Sequence, residues 1–166
     1  MSSYDVVIKK VEPIRVASVR GVVPTPPEQG LLWQELEGYL AMHRVRLSDS
    51  PCLTLYYDEE YKERDWDLEV CIPIEEPLLA SQRVRVYDLP AVETMACTVH
   101  AGPFVTINDA YTALMKWLDA NGYRTVGPAR EIYLRTARHD PQGGDVPVDQ
   151  NDPETVTEIQ FPVEKI

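Results

Sequence analysis

The amino-acid sequence predicts an α+β domain built from two β-β-α-β-β halves related by pseudo-two-fold symmetry, with antiparallel sheets and two main helices on one face. Three observations carry that expectation. Strand pairs split by a proline recur 77 residues apart, at Pro13 and Pro90. Each pair runs into one amphipathic helix, and each half closes on a strand whose residues match those of the other.

In the first half, "VVIKKVEPIRVASVR" at 6–20 reads as two strands broken at Pro13, because proline has no N–H for a ladder. "TPPE" then sets a helix start, with Thr25 at the N-cap, Pro26 at the first helical position and Glu28 closing a capping box. Leu32, Leu36, Tyr39 and Leu40 follow as an apolar stripe. "PCLTLYYD" from Pro51 and "DLEVCIPIEE" at 67–76 supply two more strands, joined by the charged turn "DEEYKERDWD".

The second half repeats the order. "RVRVYDLPAVETMACTVH" at 83–100 is split at Pro90, and "GPFVTIND" places Thr106 as N-cap ahead of Ile107, Tyr111, Leu114 and Leu118. "NG" at 121–122 ends that helix. "PAREIYLR" begins at Pro128, 77 residues after Pro51, and in "VTEIQFPVEK" Glu158, Pro162 and Glu164 match Glu69, Pro73 and Glu75 at a spacing of 89. The extra residues fall largely in "HDPQGGDVPVDQNDPE", a Pro-, Gly- and Asp-rich stretch expected to be an exposed, mobile hairpin connection. The whole of 1–166 is therefore expected to be a single domain, with repeat 1 at about 4–76, a linker at 77–82 and repeat 2 at about 83–166.

Two helices on one side leave the other side open, and the junction of the halves is expected to form a ligand cleft there. Strand parity assigns the faces. Leu68, Val70, Ile72 and Ile74 are expected under the helices, which sends Glu69 and Cys71 to the open side. Ile132 and Leu134, and likewise Ile159, Phe161 and Val163, are expected in the core, which leaves Glu131, Tyr133, Glu158 and Gln160 on the open face. By the shared register, Thr54 and Tyr56 join them as counterparts of Glu131 and Tyr133. A wet antiparallel face reads the same way, but glutamates are weak strand formers, and several of them set among tyrosines point to an acid that meets a cation. Trp66, at a hairpin edge, is a further candidate for that face, while Trp33 and Trp117 read as packing residues.

Composition narrows the function classes. A chain of 166 residues with 44% hydrophobic and 26% charged residues can bury a substantial core. Its net charge of −11 argues against direct nucleic-acid binding, which needs clustered Lys and Arg. The longest apolar runs are a few residues, so no membrane span or signal peptide is visible and a cytoplasmic location is the simplest expectation. Cys52, Cys71 and Cys97 lack CxxC spacing and His43, His100 and His139 are scattered, so neither a disulfide framework, a metal site nor a cofactor motif is expected. Cys71 and Cys97 read as ordinary buried thiols. The sequence leaves oligomeric state open, a homodimer included.

The motifs "YYD" at 56–58, "LPA" at 89–91, "HAGPF" at 100–104, "AYTALMKWL" at 110–118, "REIYL" at 130–134 and "TEIQFPV" at 157–163 together resemble the GyrI-like family. That family is also known as the effector-binding domain of bacterial transcription activators. The resemblance covers almost the whole chain. It implies a regulatory or resistance role, as in the C-terminal domains of MerR- and AraC-type multidrug-responsive regulators, with a small hydrophobic, often cationic ligand. It also implies that Glu131 is the pocket acid and that Tyr56 and Tyr133 line the pocket. No helix-turn-helix segment is recognisable in this sequence, so the chain reads either as a free-standing member or as part of a longer regulator. Two other roles known among relatives remain open: a hydrolase of cyclopropane-containing genotoxins with Glu131 as general base, and a gyrase-inhibitor-like protein-interaction module. Outside the hydrolase case, no catalytic residue is expected.

Overall fold

The computed structural model describes residues 4–58, 63–135 and 150–166, together with the backbone of 139–140 and 144–145. The elements run β1 (Val7–Val11), β2 (Ile14–Val23), a 3-10 turn (Pro26–Gln29), α1 (Gly30–Met42), β3 (Leu53–Tyr56), β4 (Trp66–Pro73) and β5 (Arg85–Leu89). They continue with β6 (Val92–Ala101), a 3-10 turn (Phe104–Thr106), α2 (Asn108–Asn121), β7 (Tyr123–Thr125) and β8 (Ala129–Arg135), then β9 (His139–Asp140), β10 (Gly144–Asp145) and β11 (Val156–Lys165). The architecture is α+β with antiparallel sheets and two main helices, as the sequence predicts.

The chain divides into two compact units, one of residues 1–11 with 92–166 and the other of residues 12–91. In the first, the strands lie in the order β1-β6-β11-β8, and β7 pairs with the C-terminal end of β11. In the second, the order is β3-β4-β2-β5. Relative to the expected repeats, the leading strands are exchanged: β1 pairs with β6, and β5 pairs with β2. Pro13 and Pro90 stand at these crossings. With no N–H and with φ fixed, each proline interrupts its strand, so the two segments it joins take different partners rather than fold back as a hairpin.

In the unit of residues 12–91, Leu32, Leu36 and Leu40 recur every fourth residue along α1 and are buried, with Trp33 beside them. This stripe packs on β2 and β4. Gly21 on β2 allows close contact, since a Cβ there would lie 3.0 Å from the Leu32 side chain. In the other unit, Ala110, Leu114 and Leu118 of α2 form a core with Ala96 on β6 and with Ile159 and Val163 on β11. Full burial of each leucine or isoleucine contributes about 1.5–3 kcal/mol.

Helix ends depart from the expected capping. Thr25 does precede Pro26, but it heads a 3-10 turn and makes no side-chain cap bond; α1 starts only at Gly30. Thr106 is not the N-cap of α2. It lies inside the preceding 3-10 turn, where its hydroxyl donates to the Pro103 carbonyl and contacts the His100 ring nitrogen Nε2. The two prolines of "TPPE" and the bond between Thr106 and Pro103 both favour a tight turn ahead of the α-helical ladder. The α2 terminus is as expected, with Gly122 in the left-handed conformation at φ 73°.

The largest correction concerns faces. Residues directly opposite in an antiparallel ladder point the same way, and Glu131 lies opposite Ile159, with Tyr133 opposite Thr157. Ile159 belongs to the α2 core, so Glu131 and Tyr133 lie on the helix-covered face. They do not share a face with Glu158 and Gln160, which lie opposite Ile132 and Arg130. Thr54 and Tyr56 are likewise opposite Val70 and Leu68, on the α1 side. The alternation in "REIYL" correctly pairs Glu131 with Tyr133 but cannot say which pair is inside. Residues 129–132 are all buried and Leu134 is exposed, because hydroxyl donors make the acid's side a viable interior. Residues 141–143 and 146–149 of the expected mobile connection at 139–154, and residues 59–62 of the charged turn after β3, lie outside the described residues. Within that connection, the backbones of His139–Asp140 and Gly144–Asp145 pair antiparallel.

Candidate functional site

Glu131 sits on β8 with only 6% of its surface exposed. The Tyr111 hydroxyl, one turn into α2, donates to Oε2 at 2.5 Å, and the Tyr133 hydroxyl donates to Oε1 at 3.1 Å. The rings of these tyrosines meet two phenylalanines edge-on. Phe104 packs on Tyr133 with centroids 5.8 Å apart, and Phe161 on Tyr111 at 6.0 Å. All four aromatic residues are half-buried. The result is a desolvated carboxylate bonded by two tyrosine hydroxyls, whose rings are in turn packed edge-on by Phe104 and Phe161. Such a group favours the arrival of a cation.

The remaining expected site residues divide between the two units. In the Glu131 unit, Glu158 is bound on the opposite face: Lys9 Nζ approaches Oε2 at 3.1 Å, and Gln160 Nε2 donates to Oε1 at 2.5 Å. Burial works against the Lys9 ammonium, but its hydrogen bond to Glu158 and the acid's charge outweigh that and raise its pKa. Beside them lies a cavity of about 270 Å³, lined by Asp5, Val7, Cys97, Val99 and Glu158 among others. Burial, helped by the Glu158 charge, pushes the Cys97 thiol up to about 12, so it is an inert neutral group there. Cys71 is also fully buried, as expected.

In the unit of residues 12–91, Thr54 donates to Gln29 Oε1 at 2.8 Å, and Gln29 Nε2 reaches the Tyr56 hydroxyl at 3.1 Å. Trp33 Nε1 donates to the same Gln29 oxygen at 3.0 Å, so Trp33 is a packing residue with its polar edge bonded. Trp66 is half-buried at the start of β4, opposite Val23.

Glu69 keeps the face assigned to it, opposite α1, but it is not on a wet surface. None of it is exposed. Ser18 and Tyr57 donate to its two oxygens, and Tyr87 donates at 2.8 Å. Arg85 Nη1 stands 3.3 and 3.5 Å from the carboxylate oxygens. Burial, then the bond to Glu69, raises the Tyr57 pKa far above the usual phenol value. Burial and the neighbouring Cys71 and Glu69 do the same for Tyr87. Both phenols therefore stay protonated as donors.

Phe104, Phe161 and Tyr111 escaped the sequence reading as site residues. Tyr111 carried a signal, being a hydroxyl within an otherwise aliphatic helix stripe. Phe161 was placed in the core, and its edge contact with Tyr111 has no counterpart in the pattern of the strand. Among the described residues, no group of three or more His, Cys, Asp or Glu could hold a metal ion, and no helix is long and apolar enough to cross a membrane.

The fold defined above, two main helices over antiparallel sheets, is that of a family of small-molecule-binding α+β domains. Residues 4–164 match the model of the GyrI-like small molecule binding domain, and the chain belongs to that family. It is 28% identical to the C-terminal domain of EcmrR, whose crystal structure matches with a TM-score of 0.84 over 99% of this chain and 100% of that one. In a cryo-EM structure of an EcmrR–DNA complex, the matched chain is 30% identical with a TM-score of 0.82, over 98% of this chain and 58% of that one. A hydrolase from Listeria innocua shares the fold at 15% identity and a TM-score of 0.65, over 96% of this chain and 92% of that one. No curated protein is detectably similar in sequence.

Proposed function

We propose that this chain is an effector-binding domain that senses or sequesters a hydrophobic organic cation through Glu131. The observation that carries this reading is a carboxylate 6% exposed, bonded by Tyr111 and Tyr133 and flanked by Phe104 and Phe161. Membership of a small-molecule-binding family supports it. At an effective dielectric of ~20, a cation ~4 Å from the carboxylate gains on the order of 4 kcal/mol. Each desolvated aromatic face adds ~1–2 kcal/mol. After desolvation and ordering costs, these terms support roughly millimolar to micromolar binding. A delocalised cation such as tetraphenylphosphonium suits the site because it loses little hydration on entry.

The test is a titration with tetraphenylphosphonium followed by intrinsic fluorescence. Saturable quenching is expected, weakened about tenfold or more in Glu131→Gln, a change of ~1.4 kcal/mol. Equal affinity in a folded Glu131→Gln protein would overturn the assignment. Product formation from a cyclopropane-bearing alkylator, lost in the same variant, would replace it with the hydrolase reading.

A further inference from the structure

The Glu69 cluster is independent of the Glu131 reading and holds its own cation. A carboxylate offers about four acceptor positions. Ser18, Tyr57 and Tyr87 take three of them through hydroxyls. The fourth faces Arg85, which approaches through Nη1 alone at 3.3 and 3.5 Å, with its guanidinium carbon 4.4 Å above the Tyr87 ring and 51% of its side chain exposed. Charge-assisted N–H···O bonds normally close to about 2.7–2.9 Å. Other arginines of the same unit do so: Arg20 grips Asp67 with two nitrogens at 3.0 and 2.8 Å, and Arg83 grips Glu35 at 2.7 and 2.9 Å. Arg20 also covers the Tyr57 ring at 3.7 Å and is anchored there by Asp67. Arg85 is thus a loosely held planar cation on a fully buried, preorganised anion.

We propose that the Glu69–Tyr87 seat is an exchangeable binding site for guanidinium or amidinium groups, with Arg85 as its resident occupant. A ligand of this class stacks on Tyr87 in place of the Arg85 guanidinium and directs an N–H edge at Glu69. The three hydroxyls keep the carboxylate solvated during the exchange. Arg85 swings into solvent on a side chain already half exposed. The preference for planar, N–H-bearing cations follows from the single open acceptor direction and the flat ring beside it. A tetrahedral phosphonium has no N–H to offer, and its charged centre cannot lie flat on the ring as a guanidinium or amidinium does. Arg85 competes intramolecularly, so it weakens apparent affinity by the fraction of time it occupies the seat.

Isothermal titration calorimetry of the full chain with benzamidine tests this. Arg85→Ala is expected to bind benzamidine about tenfold or more tighter than the unsubstituted protein, and the gain is expected to persist in Glu131→Gln. Adding Tyr87→Leu to Arg85→Ala is expected to cancel the gain, and adding Glu69→Gln to abolish binding. Should loss of the carboxylate prevent folding, the Tyr87→Leu pair still decides. The proposal is overturned if Arg85→Ala binds benzamidine no tighter, if the gain survives Tyr87→Leu, or if the gain vanishes in Glu131→Gln, which would move the amidinium to the Glu131 site.

Discussion

Glu69 and Glu131 are both buried strand glutamates with tyrosine donors, yet the donors described around them differ. Glu69 has three hydroxyls and a guanidinium, on the face turned away from its helix. Glu131 has two described hydroxyl donors, whose rings pack on Phe104 and Phe161, on the face beneath α2. A carboxylate with an internal countercharge holds its unit together and admits a ligand only in exchange for that charge. One bonded by hydroxyls can take up a cation without displacing a side-chain charge among its described donors. The contrast teaches that burial of an acid does not by itself say how a ligand enters, and that the groups around it must be counted.

The largest expected effect separates the two by stability. Glu69→Ala strands three hydroxyls and leaves a cavity, so urea denaturation is expected to show a loss of about 3–5 kcal/mol. Glu131→Ala is expected to cost about 1–3 kcal/mol, with two half-buried tyrosines left to rehydrate. A reversal of that order would break the comparison. Alkaline pH sharpens it next. Tyr57 and Tyr87 have folded pKa values raised above 10.0, so above that pH the unfolded chain releases protons that the folded chain keeps. Their contribution is complete below pH 10 and declines as pH rises toward the folded values, by at most ~1.4 kcal/mol per pH unit for each tyrosine. Solvent screening of these half-exposed rings reduces that slope. Tyr57→Phe is expected to flatten the decline between pH 10 and 11, measured by urea denaturation at each pH.

The smallest effect concerns α1. Arg83 lowers the Glu35 pKa chiefly through its hydrogen bonds, so this pair stabilises the fold above the usual glutamate range and loses its effect as pH falls through the folded value. Both side chains are substantially exposed, so Arg83→Ala is expected to cost less than ~1 kcal/mol at pH 7 and nothing measurable near pH 2.

Much of the architecture was legible because it is written in short-range chemistry. Pro13 and Pro90 mark real strand breaks, the leucine stripes mark the packed helix faces, and Gly122 ends α2. Parity also identified which residues travel together, as with Glu131 and Tyr133. It failed on the absolute face, because a pleat has period two whichever side is inside, and the deciding contact, Tyr111 to Glu131, links residues 20 apart through the packing of a helix. Strand exchange was equally hidden. The hydrophobic pattern of β1 is satisfied by any antiparallel neighbour, and only the assembled ladder shows that it is β6.

That exchange sets what a cut in the polypeptide would do. Cleavage within 77–82 yields an N-terminal piece carrying β1, whose ladder partner β6 is on the other piece, and a C-terminal piece carrying β5, whose partner β2 stays behind. Each fragment holds the missing border of its companion. Neither can finish its ladder by itself, and recombining them is expected to restore both through reciprocal donation.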